Sequence, residues 1–74
     1  MKLQIDEEAD ALHLQLVDVP VVESEEVAPG VIVDYDDTDQ VVGIEILHLS
    51  KRPHPVNLSD SQFLTTPKRA TAGK

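Results

Sequence analysis

The 74-residue chain contains no cysteine and no tryptophan. Without cysteine it has neither a disulfide staple nor a thiolate metal site. Tyr35 and Phe63 are the only aromatics, so any core must be built from Val, Ile and Leu. Glycine occurs only as Gly30, Gly43 and Gly73, which excludes a glycine-rich phosphate loop. No apolar run approaches the roughly 18–20 residues that span a bilayer. The opening Met1-Lys2-Leu3-Gln4-Ile5-Asp6 lacks the apolar stretch of a signal peptide. A cytoplasmic domain with no membrane partner is expected.

Positive charge is scarce as well. Residues 1–50 hold thirteen acids against Lys2 alone, a net −12, whereas residues 51–74 hold five bases against Asp60, a net +4. An acidic body excludes binding to a phosphate backbone, which needs Lys and Arg to release counterions. It suits a basic protein partner. The same charge also keeps a small sheet soluble and blunts its edges. A domain of roughly 60 residues buries only about 60% of its unfolded surface. With no staple present, oligomerisation is the expected source of further stability.

What the chain does have is period-two alternation, the mark of half-buried strands. Leu3 and Ile5 alternate with Lys2 and Gln4 to give a first strand at about 2–5. Leu12, Leu14 and Leu16 alternate with His13 and Gln15 to give a second, ended by Asp18-Val19-Pro20. A surface strand is expected from Val21 to Val27, with Glu23, Glu25 and Glu26 outward. Pro29-Gly30 fits the central pair of a type II turn. Val31-Ile32-Val33-Asp34-Tyr35 reads as a central strand, and residues 36–40 as a polar hairpin loop. The partner strand spans Val41 to Leu49, with Val42, Ile44 and Ile46 on one face. Val41, Leu47 and Leu49 fall on the other, beside Gly43 and Glu45. That second apolar row needs a cover, because a one-sided sheet would be polar there.

Beyond Leu49 the character changes. Ser50-Lys51-Arg52-Pro53-His54-Pro55 is a stiff linker. Ser59-Asp60-Ser61-Gln62 has the form of a capping box, so a short helix through Phe63 and Leu64 is expected, with Phe63 plugging the sheet. Residues 1–50 thus form an acidic antiparallel β domain, 51–64 a proline-containing extension, and 65–74 a disordered basic tail. The fold class is mainly β: an antiparallel meander of four to five strands, with one short C-terminal helix at most (borderline α+β).

The candidate chemistry is thin. Asp34, Asp36, Thr38 and Glu45 fall at positions 1, 3, 5 and 12 of a calcium-loop template, but position 6, which must be Gly, is Asp39. The flanks are strands where that template has helices, so a solvated loop of Asx turns is the better reading. Asp6, Glu7, Glu8 and Asp10 read as a polar turn. His13, His48 and His54 match no zinc-ligand spacing and read as isolated surface histidines. No serine sits in a G-x-S-x-G elbow or an S-x-x-K arrangement. No catalytic residue, cofactor or metal is assigned.

Three segments carry a family resemblance: Ile5 to Leu14, Val22 to Asp36, and Val42-Gly43-Ile44-Glu45-Ile46-Leu47. In order and spacing they resemble the small prokaryotic domain-of-unknown-function family numbered 2283, over about residues 1–52. Ile5 and His13 stand where that family commonly has Tyr or Phe. The resemblance supports the β reading but brings no catalytic residues, since the family has no established activity. Through members encoded beside small ribonuclease-like toxins, it implies that the chain is itself an antitoxin-type partner of such a toxin.

The expected function is therefore that of an interaction module rather than an enzyme. It would be homo-oligomeric and an antitoxin-like binder of a basic protein, with Val41, Leu47, Leu49 and Phe63 as the interaction face. The alternative is a small metal-binding protein or hydrolytic enzyme using the acidic loops.

Overall fold

Five strands account for nearly all the regular structure in the computed structural model, which describes residues 1–69. They are β1 (Lys2–Asp6), β2 (Ala11–Gln15), β3 (Glu23–Ala28), β4 (Val31–Tyr35) and β5 (Val41–Ile46), followed by a 3-10 turn at Leu49–Lys51. All pair antiparallel in one sheet of order β1-β2-β5-β4-β3. The mainly-β reading therefore holds. One link departs from a plain meander: residues 16–22 carry the chain from β2 to the far edge, and β5 returns to close the gap beside β2. The ends of that link are pinned by backbone bonds, Leu16 N to Val42 O at 2.8 Å and Val22 N to Tyr35 O at 2.9 Å.

Each tight connection follows from local chemistry. In the β1–β2 turn the Asp6 carboxylate accepts from Ala9 N at 3.0 Å, and Asp10 adopts φ 58. Gly30, at φ 74, turns β3 into β4, and its N–H donates to Glu26 Oε2 at 2.9 Å. A side chain here would be strained by the backbone and would crowd Leu47 O, 3.2 Å from its Cβ. In the β4–β5 loop, Asp36 Oδ1 accepts from Thr38 N, Thr38 Oγ1 and Gln40 N at 2.8, 2.7 and 3.0 Å. The loop is thus the Asx-type hairpin expected of it, with Asp39 at φ 64.

That loop carries a pH prediction. The Thr38 hydroxyl, followed by the N–H groups of Gln40 and Thr38, holds the Asp36 carboxyl below its usual value. A depressed carboxyl contributes stability above the unfolded pKa and loses it as pH falls through the folded one. Asp36→Ala should therefore show a shallower fall in melting temperature than the parent on acidification from about pH 5 to 2. Parallel curves in thermal scans would contradict this.

Three expectations are corrected. The last strand ends at Ile46, not Leu49, because His48 takes a left-handed φ of 57 and turns the chain into the 3-10 element. No helix forms at 59–64. Asn57 Oδ1 instead accepts from Ser59 N and Oγ at 3.1 and 2.8 Å, closing an Asx turn in place of the capping box. Phe63 does not plug the sheet, being 73% exposed. Residues 65–69 have no regular structure and are exposed, while the rest of the expected disordered tail lies outside the described residues.

The hydrophobic core is small. Val42 and Leu49 are the only buried large apolar residues among those described. Leu49 is held by its N–H to Asp10 O at 3.1 Å and by Val56 N to its own carbonyl at 3.3 Å. The Asp10 carboxylate clamps the next residue, accepting from Ser50 N at 3.0 Å and from Ser50 Oγ at 2.7 Å. No helix among the described residues is long and apolar enough to cross a membrane.

Candidate functional site

Strand register separates the two faces of the sheet, because paired residues share a side and neighbours alternate. Leu3 pairs with Leu14, Ile5 with Leu12, Leu14 with Ile44, and Leu12 with Ile46. Ile44 and Ile46 continue the row to Val33 and Val31. One face is therefore an unbroken aliphatic surface across four strands. Its residues are half-buried at best, and Leu3 is exposed. Among the described residues there is no second sheet or long helix to lie over it.

The second apolar row expected on the opposite face is not assembled. A bulge pairs Asp34 with Gly43 but Tyr35 with Val41, so Val42 is the extra residue. That shift puts Val41 on the side of Tyr35, away from Glu45, where it is 42% exposed. Leu47 lies beyond the strand and is half-buried, Leu49 is sealed in the 3-10 turn, and Phe63 is in the extension. The four residues expected to form one interaction face thus stand in four different places.

The opposite face is polar at its centre. His13 pairs directly with Glu45, and Gly43 with Asp34, bringing side chains from β2, β5 and β4 together. One ligand-type atom from each of His13, Asp34 and Glu45 lies within 4.8 Å of the others. Asp34 is the buried member, 7% exposed, and its Oδ1 accepts from the Ser24 hydroxyl at 2.6 Å. Its Oδ2 faces His13 Nε2 at 3.8 Å, an ion-pair distance when the imidazole is protonated but too long for a hydrogen bond.

Gly43 makes this arrangement possible. A Cβ at that position would stand 2.9 Å from Asp34 Oδ2 and 3.5 Å from His13 Nε2. Two shallow cavities of about 280 and 290 Å³ flank the cluster and share His13 and Glu45 as walls. The first reaches Gln4, Ile32 and Leu47, and the second reaches Val17, Val19 and Val21.

His13 is thus not the isolated surface histidine expected. The other candidate groups are not gathered. Asp6 and Asp36 are engaged in their own turns and Asp10 in the Ser50 clamp, while His48 and His54 are exposed. Asp34 and Glu45 do meet, but on the sheet rather than around a calcium loop. The signal that could have found the cluster was the polar Asp34 inside a β-branched run, together with Gly43 inside a strand.

These features define a five-stranded, single-layer antiparallel β domain with one aliphatic face and one polar face. The chain belongs to the family described as Protein of unknown function (DUF2283), whose model matches residues 2–50. No curated protein and no solved structure matches it. The matched segment ends at the Leu49–Ser50 anchor, where the sheet domain closes.

Proposed function

We propose that this domain is an interaction module that works as a homodimer, two copies closing their aliphatic faces into a β-sandwich. The uncovered face from Leu3 to Val33 carries the reading. Stable domains bury the apolar face of a sheet against a second layer, and this chain's described residues supply only one. Exposed apolar patches larger than a few hundred Å² are rare on monomers and mark contact surfaces. Sheets packed face to face align at about 30°, and a two-fold axis makes one patch complementary to itself. Glu23, Glu25 and Tyr35 then fall at the rim near the β3 edge, where charge remains hydrated.

The acidic body supports a basic protein as the dimer's further partner. Edge strand β3 is exposed along its whole length and carries Glu23, Glu25 and Glu26. Like charge at that edge disfavours pairing with another copy of itself and favours a basic strand or loop.

Light scattering on the full chain tests the dimer. The expected mass is twice the 8.1 kDa of the chain. Leu14→Glu, at the centre of the aliphatic face, should abolish the dimer, whereas Gln15→Glu, on the polar face, should leave it intact. A parent that stays monomeric across the accessible concentrations while unfolding cooperatively would overturn the reading.

A further inference from the structure

We propose that His13, Asp34 and Glu45 form a binding site for one divalent transition-metal ion of the zinc type. The inference does not rest on dimerisation, since the three residues lie on the face opposite the aliphatic one.

Geometry is the first support. Zinc binds imidazole nitrogen and carboxylate oxygen at about 2.0–2.2 Å, so its ligand atoms stand roughly 3.5 Å apart. The three candidate atoms already lie within 4.8 Å of one another, and the His13–Asp34 pair is at 3.8 Å. Small side-chain rotations close the remainder. The ligands come from three adjacent strands of a sheet, a more rigid mount than a loop.

The condition of Asp34 is the second, independent support. A carboxylate on a side chain only 10% exposed gains from being paired or from coordinating a metal. Ser24 satisfies Oδ1 and fixes the orientation of the group, the role that outer partners of metal-binding carboxylates play. Oδ2 stands 3.8 Å from His13 Nε2 without a protein hydrogen bond and is not sealed from solvent, so an ion can reach it. Gly43 supplies the third support. Glycine weakens the interior of a strand and often marks a place where a ligand or another chain comes close. Here its missing Cβ leaves room for the Asp34 Oδ2 ligand atom, which a side chain would displace, with His13 Nε2 in ordinary contact beside it.

The donor set selects the ion. One imidazole nitrogen and two carboxylates suit zinc, manganese or ferrous iron. They are too few oxygens for calcium and lack the sulfur that cuprous ion prefers. Three protein ligands leave a fourth position open towards the flanking cavities, as in metal sites that accept water or an outside group.

Calorimetric titration of Zn²⁺ into the chelator-treated full chain tests the site, with Co²⁺ absorption in the visible region reporting coordination. One equivalent per chain is expected. His13→Gln and Glu45→Gln should each weaken binding more than about tenfold, and Ser24→Ala by about tenfold. His48→Gln/His54→Gln, which removes the two exposed histidines, should leave affinity and the cobalt spectrum unchanged. Because Asp34→Asn risks the fold, the two half-buried ligands decide the outcome, with circular dichroism confirming that each variant is folded. Absence of saturable binding overturns the proposal. So does binding that survives His13→Gln and is lost with His48 and His54, and the cluster is then an ion pair only.

Discussion

Replacing Leu49 by alanine should remove about 2–5 kcal/mol of stability, the range for truncating a buried leucine. Leu49 is the most completely buried large side chain among the described residues, at 2% exposure. The sheet has few other such contacts to compensate. At about 0.05–0.15 kcal/mol per residue, a domain of this size holds only several kcal/mol in total. The substitution therefore removes a large share of it. The position also anchors the chain as it leaves the sheet: the Leu49 N–H bonds to Asp10 O, and the neighbouring Ser50 is clamped by the Asp10 carboxylate. Loss of the side chain should loosen the β1–β2 turn together with the C-terminal extension. Urea unfolding followed by circular dichroism should show a strongly lowered midpoint. Leu64→Ala, at a side chain 83% exposed, should leave the midpoint in place. Equal midpoints for the two variants would mean that the Leu49 contacts contribute little.

The parts of this fold that local chemistry dictates were legible in the sequence. Alternation marks β1 and β2, the β-branched run marks β4, and Pro29-Gly30 and Asp36 each build the turn their chemistry implies. What could not be read is what non-local pairing decides. Nothing between Leu16 and Val22 announces that the chain crosses to the far edge, so the neighbour of β2 was not apparent. The bulge at Val42 moves Val41 across the sheet, and a single inserted residue leaves no mark on the period of a six-residue strand. The capping box at Ser59 failed for a physical reason: a one-turn helix with no surface to pack on is not stable in water, and Asn57 offers Ser59 a competing turn. The His13–Asp34–Glu45 cluster was hidden for the same reason as the topology. Its members are separated by 21 and 11 positions, and only the register β2-β5-β4 brings them together. Once that register is known, the pairings His13–Glu45 and Asp34–Gly43 make the cluster unavoidable.

Gly43→Ala should be destabilising by about 1–3 kcal/mol in the parent, the usual range for overpacking a tight site. The new Cβ would stand 2.9 Å from Asp34 Oδ2, nearer than such atoms approach, and 3.5 Å from Asp34 Cβ, an ordinary contact. The conflict is therefore with the carboxylate and not with the backbone or the rest of the side chain. Relief requires Asp34 to swing away, breaking its 2.6 Å bond from Ser24 and leaving a charge without a partner in a buried position. The sign should reverse when the carboxylate is removed. In an Asp34→Ala background the same Gly43→Ala change meets only the 3.5 Å contacts. There it should be neutral or stabilising by up to about 1 kcal/mol, because alanine loses less backbone freedom than glycine. The double-mutant cycle, measured by urea unfolding, should accordingly give a coupling of about 1–3 kcal/mol between two residues on adjacent strands. Additivity within about 0.5 kcal/mol would show that Gly43 is present for some reason other than making room for Asp34. A large coupling ties the glycine directly to the carboxylate, and with it to the only group of three metal-ligating side chains that the sheet brings together among the described residues.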